Sequence, residues 1–392
     1  MKNDTLKIYI PTEQFWPEFA GWIQQTLKIA RVAADEANIQ FVSISRPPET
    51  PPTAAQVALP SNVSLQRVGP SVSKKTFGAQ ALFVLLAIIE LLKQRSEVDV
   101  LFMPFVFFPG FVFLLTGKLL GIPTVARISG QEVSPNSSLA AQLRFLTLRC
   151  VSAVVALNEK DAGRLRNIGV SENQLYLIPN GVDTNRFQPV TAEERRVAKR
   201  KLGLPEDRCV VTFVGLFCQR KGVVELVKAY GQAFAPGDGV QLVLAGPCDE
   251  RIREVESSYI SKVDRLVARF GEQVQVTGAI DYVPDLLQAS DVFVLPSYAE
   301  GMPNVLLEAM STGLPCLATR IPGIQDLIKN EETGLLVDPV EVEELEKGFQ
   351  RLIANSALRK RLGRAARQRI ESGYSIAVTA RQYVQLFQKV CS

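Results

Sequence analysis

The segment Glu300–Thr319, EGMPNVLLEAMSTGLPCLAT, holds two glutamates, Glu300 and Glu308, eight positions apart. Just ahead of it, DVFVLPS (Asp291–Ser297) is an apolar run that reads as a buried strand ending near Ser297. Gly301 and Pro303 suit a tight turn and the first turn of a helix, and Leu306, Leu307, Ala309 and Met310 continue that helix on an apolar face. PCLAT then reads as a second strand. Strand, turn, helix and strand make a parallel βαβ unit. Glu300 falls in the loop at the carboxyl end of the first strand, where open parallel sheets bind their ligands. The helix amides and dipole at that end favour a phosphate.

The same alternation extends in both directions. The first half offers strands at KIYIP, IQFVSIS, VDVLFMPF, PTVARISG, AVVALN and LYLIP. Helical patterns stand between them at FAGWIQQTLKIARVAADEA, ALFVLLAIIELLKQR, GFVFLLTGKLLG and LAAQLRFLTLRC. PNGVDTNRFQPV is a connector rich in turn residues, followed by the charged helix AEERRVAKRKLG. The second half repeats the pattern with CVVTFVGLF, a helix from Gly222, QLVLAG, a helix around Arg251 to Phe270, VQVTGAI, DVFVLPS, PCLAT and GLLVD. The expected fold is α/β: two Rossmann-like parallel-sheet domains facing a central cleft. Neither first strand is followed by G-x-G-x-x-G, so a dinucleotide fingerprint is missing.

Composition narrows the chemistry. The chain has 392 residues, 47% hydrophobic and 21% charged, as in a globular protein of two or three domains. A net charge of +4 is too mild for nucleic acid, which calls for a dense basic stripe. The chain contains no histidine, which removes Ser-His-Asp and Cys-His catalysis and the usual Cys/His zinc sites. Its six cysteines form no C-x-x-C pair, as expected of buried reduced thiols. MKNDTLKIYIPTEQ has no apolar signal core, so a cytoplasmic location is expected. The uncharged stretch Val100–Gly117 is interrupted by Pro104 and Pro109, and reads as a buried strand and helix, not a membrane span.

Two glutamates eight apart on one helix would be separated by about 12 Å. Paired glycosidase carboxylates stand about 5 to 9.5 Å apart across one bond. The spacing therefore suits two groups of one extended ligand, such as the ribose and hexose of a nucleotide sugar. VGLFCQRKG places Lys221 after the first strand of the second half, at the expected start of a helix, within reach of phosphoryl oxygens.

These residues resemble glycosyltransferase family 4, retaining enzymes of the GT-B fold. EGMPNVLLEAMSTGLPCLAT is similar to the family's E-x7-E signature, VGLFCQRKG to its V-G-R-L-x-x-x-K-G, and LIPNGVD to its I-P-N-G-V-D connector. ASDVFVLPSYAEG and IPGIQDLI also match. The likeness is strong from about Leu177 to Ile370 and weak before it. It implies an N-terminal acceptor domain, 1–186, joined by the C-terminal helix 375–392, and a donor domain, 187–374. By the same resemblance Glu300 touches the transferred sugar, Glu308 the ribose and Lys221 the diphosphate. Gly215, Arg220 and the backbone of Gly301, Met302, Pro303, Asn304 and Val305 are expected to support the donor. Gly21, Arg127, Ser129 and Gly130 are candidates for the acceptor or sugar side.

Three departures stand out. The family's Arg, His-Gly and Gly-Gly are here Leu216, Ser129-Gly130 and Ala20-Gly21. Arg220, Arg320 or Arg127 is a candidate to replace the lost cation.

The expected activity is metal-independent transfer of a hexose from a nucleotide sugar, UDP-sugar foremost, to a carbohydrate or lipid-linked acceptor. No D-x-D metal motif and no separate cofactor is implied. The departing phosphate would take the acceptor's proton on the same face of the sugar, which asks for positioning more than for a strong base. Lys74, Lys75, Arg144 and Arg149 would suit an anionic acceptor at the inner membrane surface, and equally an ordinary solvated face. A nucleotide-sugar epimerase of the same fold and a non-catalytic sugar-nucleotide-binding subunit stay open as alternatives.

Overall fold

The computed structural model describes residues 5–12, 21–44, 59–68, 77–106, 110–128, 146–249, 252, 254–339 and 341–392. The chain divides into two compact units, Met1–Gly181 with Ile376–Ser392, and Val182–Ser375.

Among the described residues the first unit holds a seven-stranded parallel sheet in the order β3-β2-β1-β4-β5-β6-β7. Its strands are β1 (Leu6–Thr12), β2 (Ala37–Ile44), β3 (Val63–Val68), β4 (Val100–Met103), β5 (Thr124–Ile128), β6 (Ala153–Ala156) and β7 (Leu175–Leu177). β4, β5 and β6 are buried along their whole length, as expected of strands covered on both faces. One layer of core joins Tyr9, Phe83 and Phe113. The other joins Phe41 and Phe102 to Tyr383 and Phe387 of the C-terminal helix Ile376–Cys391. Phe102 meets Tyr383 and Phe387 at ring-centroid distances of 5.6 and 5.3 Å, which fastens that helix to this sheet.

β3 and the helix Glu159–Asn167 were not legible as elements. β3 is an edge strand whose apolar Val63, Leu65 and Val68 are interrupted by Ser64, Gln66 and Arg67, and only Val63 is buried. The helix EKDAGRLRN buries only Asp161, Ala162 and Leu165, and is started by the Asn158 side chain accepting from the Asp161 amide. Val100–Gly117 contains β4 and most of the helix Val112–Leu120, which stops at Gly121 in the left-handed region. No helix among the described residues is long and apolar enough to cross a membrane. Two cysteines depart from the expected burial: Cys248 and Cys391 are exposed, whereas Cys218 and Cys316 are buried.

The second unit holds a six-stranded parallel sheet in the order β10-β9-β8-β11-β12-β13. These are β8 (Cys209–Val214), β9 (Val240–Ala245), β10 (Val274–Gly278), β11 (Val292–Leu295), β12 (Cys316–Thr319) and β13 (Leu335–Val337). The strand order reverses between β8 and β11, which pair directly. Asp291, just before β11, fixes that pairing. Its Oδ2 accepts from the Val210 amide at 2.9 Å and from the buried Lys199 Nζ at 2.8 Å. A second link joins Thr212 Oγ1 and Ser290 Oγ at 2.6 Å. The loops leaving β8 and β11 are thereby held side by side.

Candidate active site

The reversal between β8 and β11 explains how Lys221 and Glu300, 79 positions apart, come together. Lys221 closes the short turn Gln219–Lys221 after β8, one residue before Gly222 and two before the helix Val223–Ala233. It therefore precedes the helix and does not begin it. β11 stops at Leu295, short of the expected Ser297, and Pro296 has no N–H with which to extend it. Lys221 Nζ stands 2.5 Å from Glu300 Oε1, and Ser297 Oγ donates to the same oxygen at 2.7 Å. Both charged side chains are largely enclosed, at 12% and 8% exposure. Arg220 Nη1 lies 3.5 Å from Glu300 Oε2, so both carboxylate oxygens face cations.

Two glycines permit this contact. Gly222 sits at φ +68°, and a Cβ there would collide with the Pro296 carbonyl oxygen. Gly323, from IPGIQDLI, lies so close to the Glu300–Gly301 backbone that a Cβ would strike the Gly301 carbonyl oxygen. Gly222→Ala is expected to cost about 2 to 5 kcal/mol, from left-handed strain of about 1 to 2 and overpacking of about 1 to 3. Urea unfolding checks this, and an unchanged midpoint would contradict the close approach.

Gly301, Met302 and Pro303 lead into the helix Asn304–Ser311, with Glu308 in its second turn. Glu300 and Glu308 therefore do not share the helix. Pro303 precedes the helix, and lacking an N–H it offers shape but no hydrogen bond to a ligand. Gly215 follows β8 and donates its N–H to the Ala245 carbonyl at 2.9 Å. Leu216 is partly exposed.

The cations proposed to replace the family's Arg have other partners. Arg127 in β5 is 6% exposed and donates to the Pro104 carbonyl at 3.2 Å and to Asn180 Oδ1 at 2.7 Å. Arg320, after β12, pairs with Asp338 at 3.0 Å. Arg220 donates through Nε and Nη2 to Glu254 Oε2 at 2.9 and 2.8 Å, and through Nη1 to the Ala299 carbonyl at 3.2 Å. Burial opposes the Arg220 charge, but the carboxylates of Glu300 and Glu254 outweigh it and hold the guanidinium charged. A pocket of about 630 Å³ opens beside it, lined by Cys218, Gln219, Arg220, Glu254, Glu256 and Tyr298.

Gly21 is the exposed first residue of the helix Gly21–Val32. Ser129 and Gly130 lie outside the described residues, as do Lys74, Lys75 and Arg144. Arg149 donates to the Ile168 carbonyl at 2.6 Å. Ser297 stands out in the sequence only as the expected strand end, and Gly323 and Glu254 carry no site expectation there. Gly323 had a signal in the I-P-G triplet; Glu254 had none, because its contact is made only by folding.

A doubly wound sheet whose switch point gathers a lysine, an arginine and a carboxylate has the build of an α/β enzyme acting on an anionic substrate. Comparison with known proteins sharpens that class. Residues 194–369 match the model of the glycosyl transferases group 1, and residues 30–186 that of glycosyltransferase family 4. Alpha-maltose-1-phosphate synthase of Mycobacterium tuberculosis is 31% identical over 265 residues, covering 65% of this chain and 67% of that protein. The Escherichia coli UDP-Gal:alpha-D-GlcNAc-diphosphoundecaprenol alpha-1,3-galactosyltransferase is 26% identical over 277 residues, covering 68% of this chain and 69% of its own. Among solved structures, sucrose-phosphate synthase of Thermosynechococcus elongatus superposes with a TM-score of 0.80 at 24% identity, covering 98% of this chain and 99% of that one. Anabaena HepE in complex with UDP and glucose gives 0.78 at 18% identity, covering 98% and 100%. The chain belongs to glycosyltransferase family 4, with the GT-B fold. It is a retaining glycosyltransferase that takes its sugar from a nucleotide-sugar donor.

Proposed function

We propose that the second unit binds a UDP-hexose at the β8–β11 switch point and that the first unit receives a carbohydrate or lipid-linked acceptor. The observation carrying this reading is the meeting of Lys221 and Glu300 on neighbouring loops. In this reading Lys221 turns from Glu300 to the diphosphate when the donor enters. Glu300 then accepts hydrogen bonds from the transferred sugar, Glu308 binds the ribose, and the amides of Gly301, Met302, Asn304 and Val305 support the sugar and phosphates.

UDP is favoured because HepE is solved with UDP and with UDP-glucose, and the galactosyltransferase relative takes UDP-Gal. Its diphosphoundecaprenol acceptor, and relatives in capsular polysaccharide and teichuronic acid biosynthesis, favour a polysaccharide pathway and an acceptor at a membrane surface. Metal independence follows in this reading from Lys221 and the backbone amides neutralising the leaving diphosphate.

A thermal-shift panel of nucleoside diphosphates and their sugars tests the donor. UDP at about 100 times its dissociation constant is expected to add about 2.7 kcal/mol. A larger shift with GDP or ADP would overturn the choice of base. No shift with any nucleotide would overturn the donor site.

A further inference from the structure

We infer that Glu254, acting through Arg220, positions the Glu300 carboxylate for transfer; the inference rests on the proposed role of Glu300 at the donor sugar. β8 lies between β9 and β11, so the loop leaving β8 reaches the loops on both sides. Arg220, in that loop, touches both. Its backbone carbonyl accepts from the Tyr298 amide at 2.8 Å, and its Nη1 donates to the Ala299 carbonyl at 3.2 Å. The same Nη1 stands 3.5 Å from Glu300 Oε2. Three successive residues, Tyr298, Ala299 and Glu300, are thus held by one arginine.

The opposite side of the guanidinium is occupied by Glu254, which follows β9 and accepts from both Nε and Nη2. A planar guanidinium with these two donors engaged has its orientation fixed, and its Nη1 is aimed at the 299–300 backbone. Without Glu254 the arginine side chain, 25% exposed, regains rotameric freedom, and the carboxylate loses one of its two cations. Glu254 is itself half exposed and is joined to Glu300 through Arg220. It is a positioning residue and makes no donor contact in this account.

Steady-state kinetics of Glu254→Ala, Arg220→Ala and the double variant provide the test, with UDP calorimetry alongside. Glu254→Ala is expected to lower kcat about tenfold, with the donor KM and the UDP affinity within about twofold of wild type. The double variant is expected to be no slower than Arg220→Ala, because the two residues act in series. Multiplicative losses in the double variant would overturn the inference, as would a raised donor KM with kcat intact. Glu300→Gln is measured in parallel. Full activity there overturns the role of Glu300 itself, whereas an impaired Glu300→Gln beside an unaltered Glu254→Ala overturns only the role of Glu254.

Discussion

Glu300→Gln is expected to lower kcat about a hundredfold while the donor KM changes less than about threefold. The substitution keeps the shape and removes the charge. The amide is a weaker acceptor for a sugar whose ring gains positive character at the transition state. A charged hydrogen bond lost there is worth about 1.5 to 3 kcal/mol, enough for about ten- to a hundredfold in rate. Glu308→Gln is expected to behave oppositely, weakening the donor by a comparable free energy with a small effect on kcat, because the ribose is held alike in ground and transition states. Initial rates across donor concentrations separate the two. Wild-type kinetics in both variants would contradict the division of labour.

Lys221→Ala is expected to weaken UDP binding about thirtyfold, while UMP and uridine change little. The ammonium is assigned to the distal phosphate, and Leu216 leaves it without the family's second cation. Arg220 is tied to Glu254, Arg320 to Asp338, and Arg127 is buried against Asn180. None of the three stands ready to compensate. Leu216→Arg in the Lys221→Ala background should regain part of the loss. Calorimetry with the three ligands checks both statements. An equal loss for UDP, UMP and uridine would make Lys221 a support of the fold, through its pair with Glu300, and no phosphate contact.

How much of this was legible in the sequence depends on the kind of contact. The second sheet was readable because CVVTFV, VQLVLA and VFVL are predominantly apolar runs with turn residues between them. The edge strand Val63–Val68 and the helix Glu159–Asn167 were not, since each buries little and polar residues interrupt its pattern. Glu300, Glu308 and Lys221 stood out by spacing and by place in a strand-to-helix turn. Spacing did not show that Lys221 and Glu300 pair with each other, because that depends on β8 lying beside β11. Nor did it show that Arg220 faces Glu254: an arginine between a glutamine and a lysine gives no sign of its partner. Pro303 belongs to the expected donor-binding backbone groups, although a proline has no N–H to give.

The central claim is that the donor sits on the loops leaving β8 and β11. Hydrogen exchange of the full chain, with and without saturating UDP, tests it most directly. The account predicts slowed exchange at Gly301, Met302, Asn304, Val305 and the following helix amides, together with the turn Gln219–Lys221. Slowed exchange confined to the first unit, with these amides unchanged at saturating ligand, would contradict it.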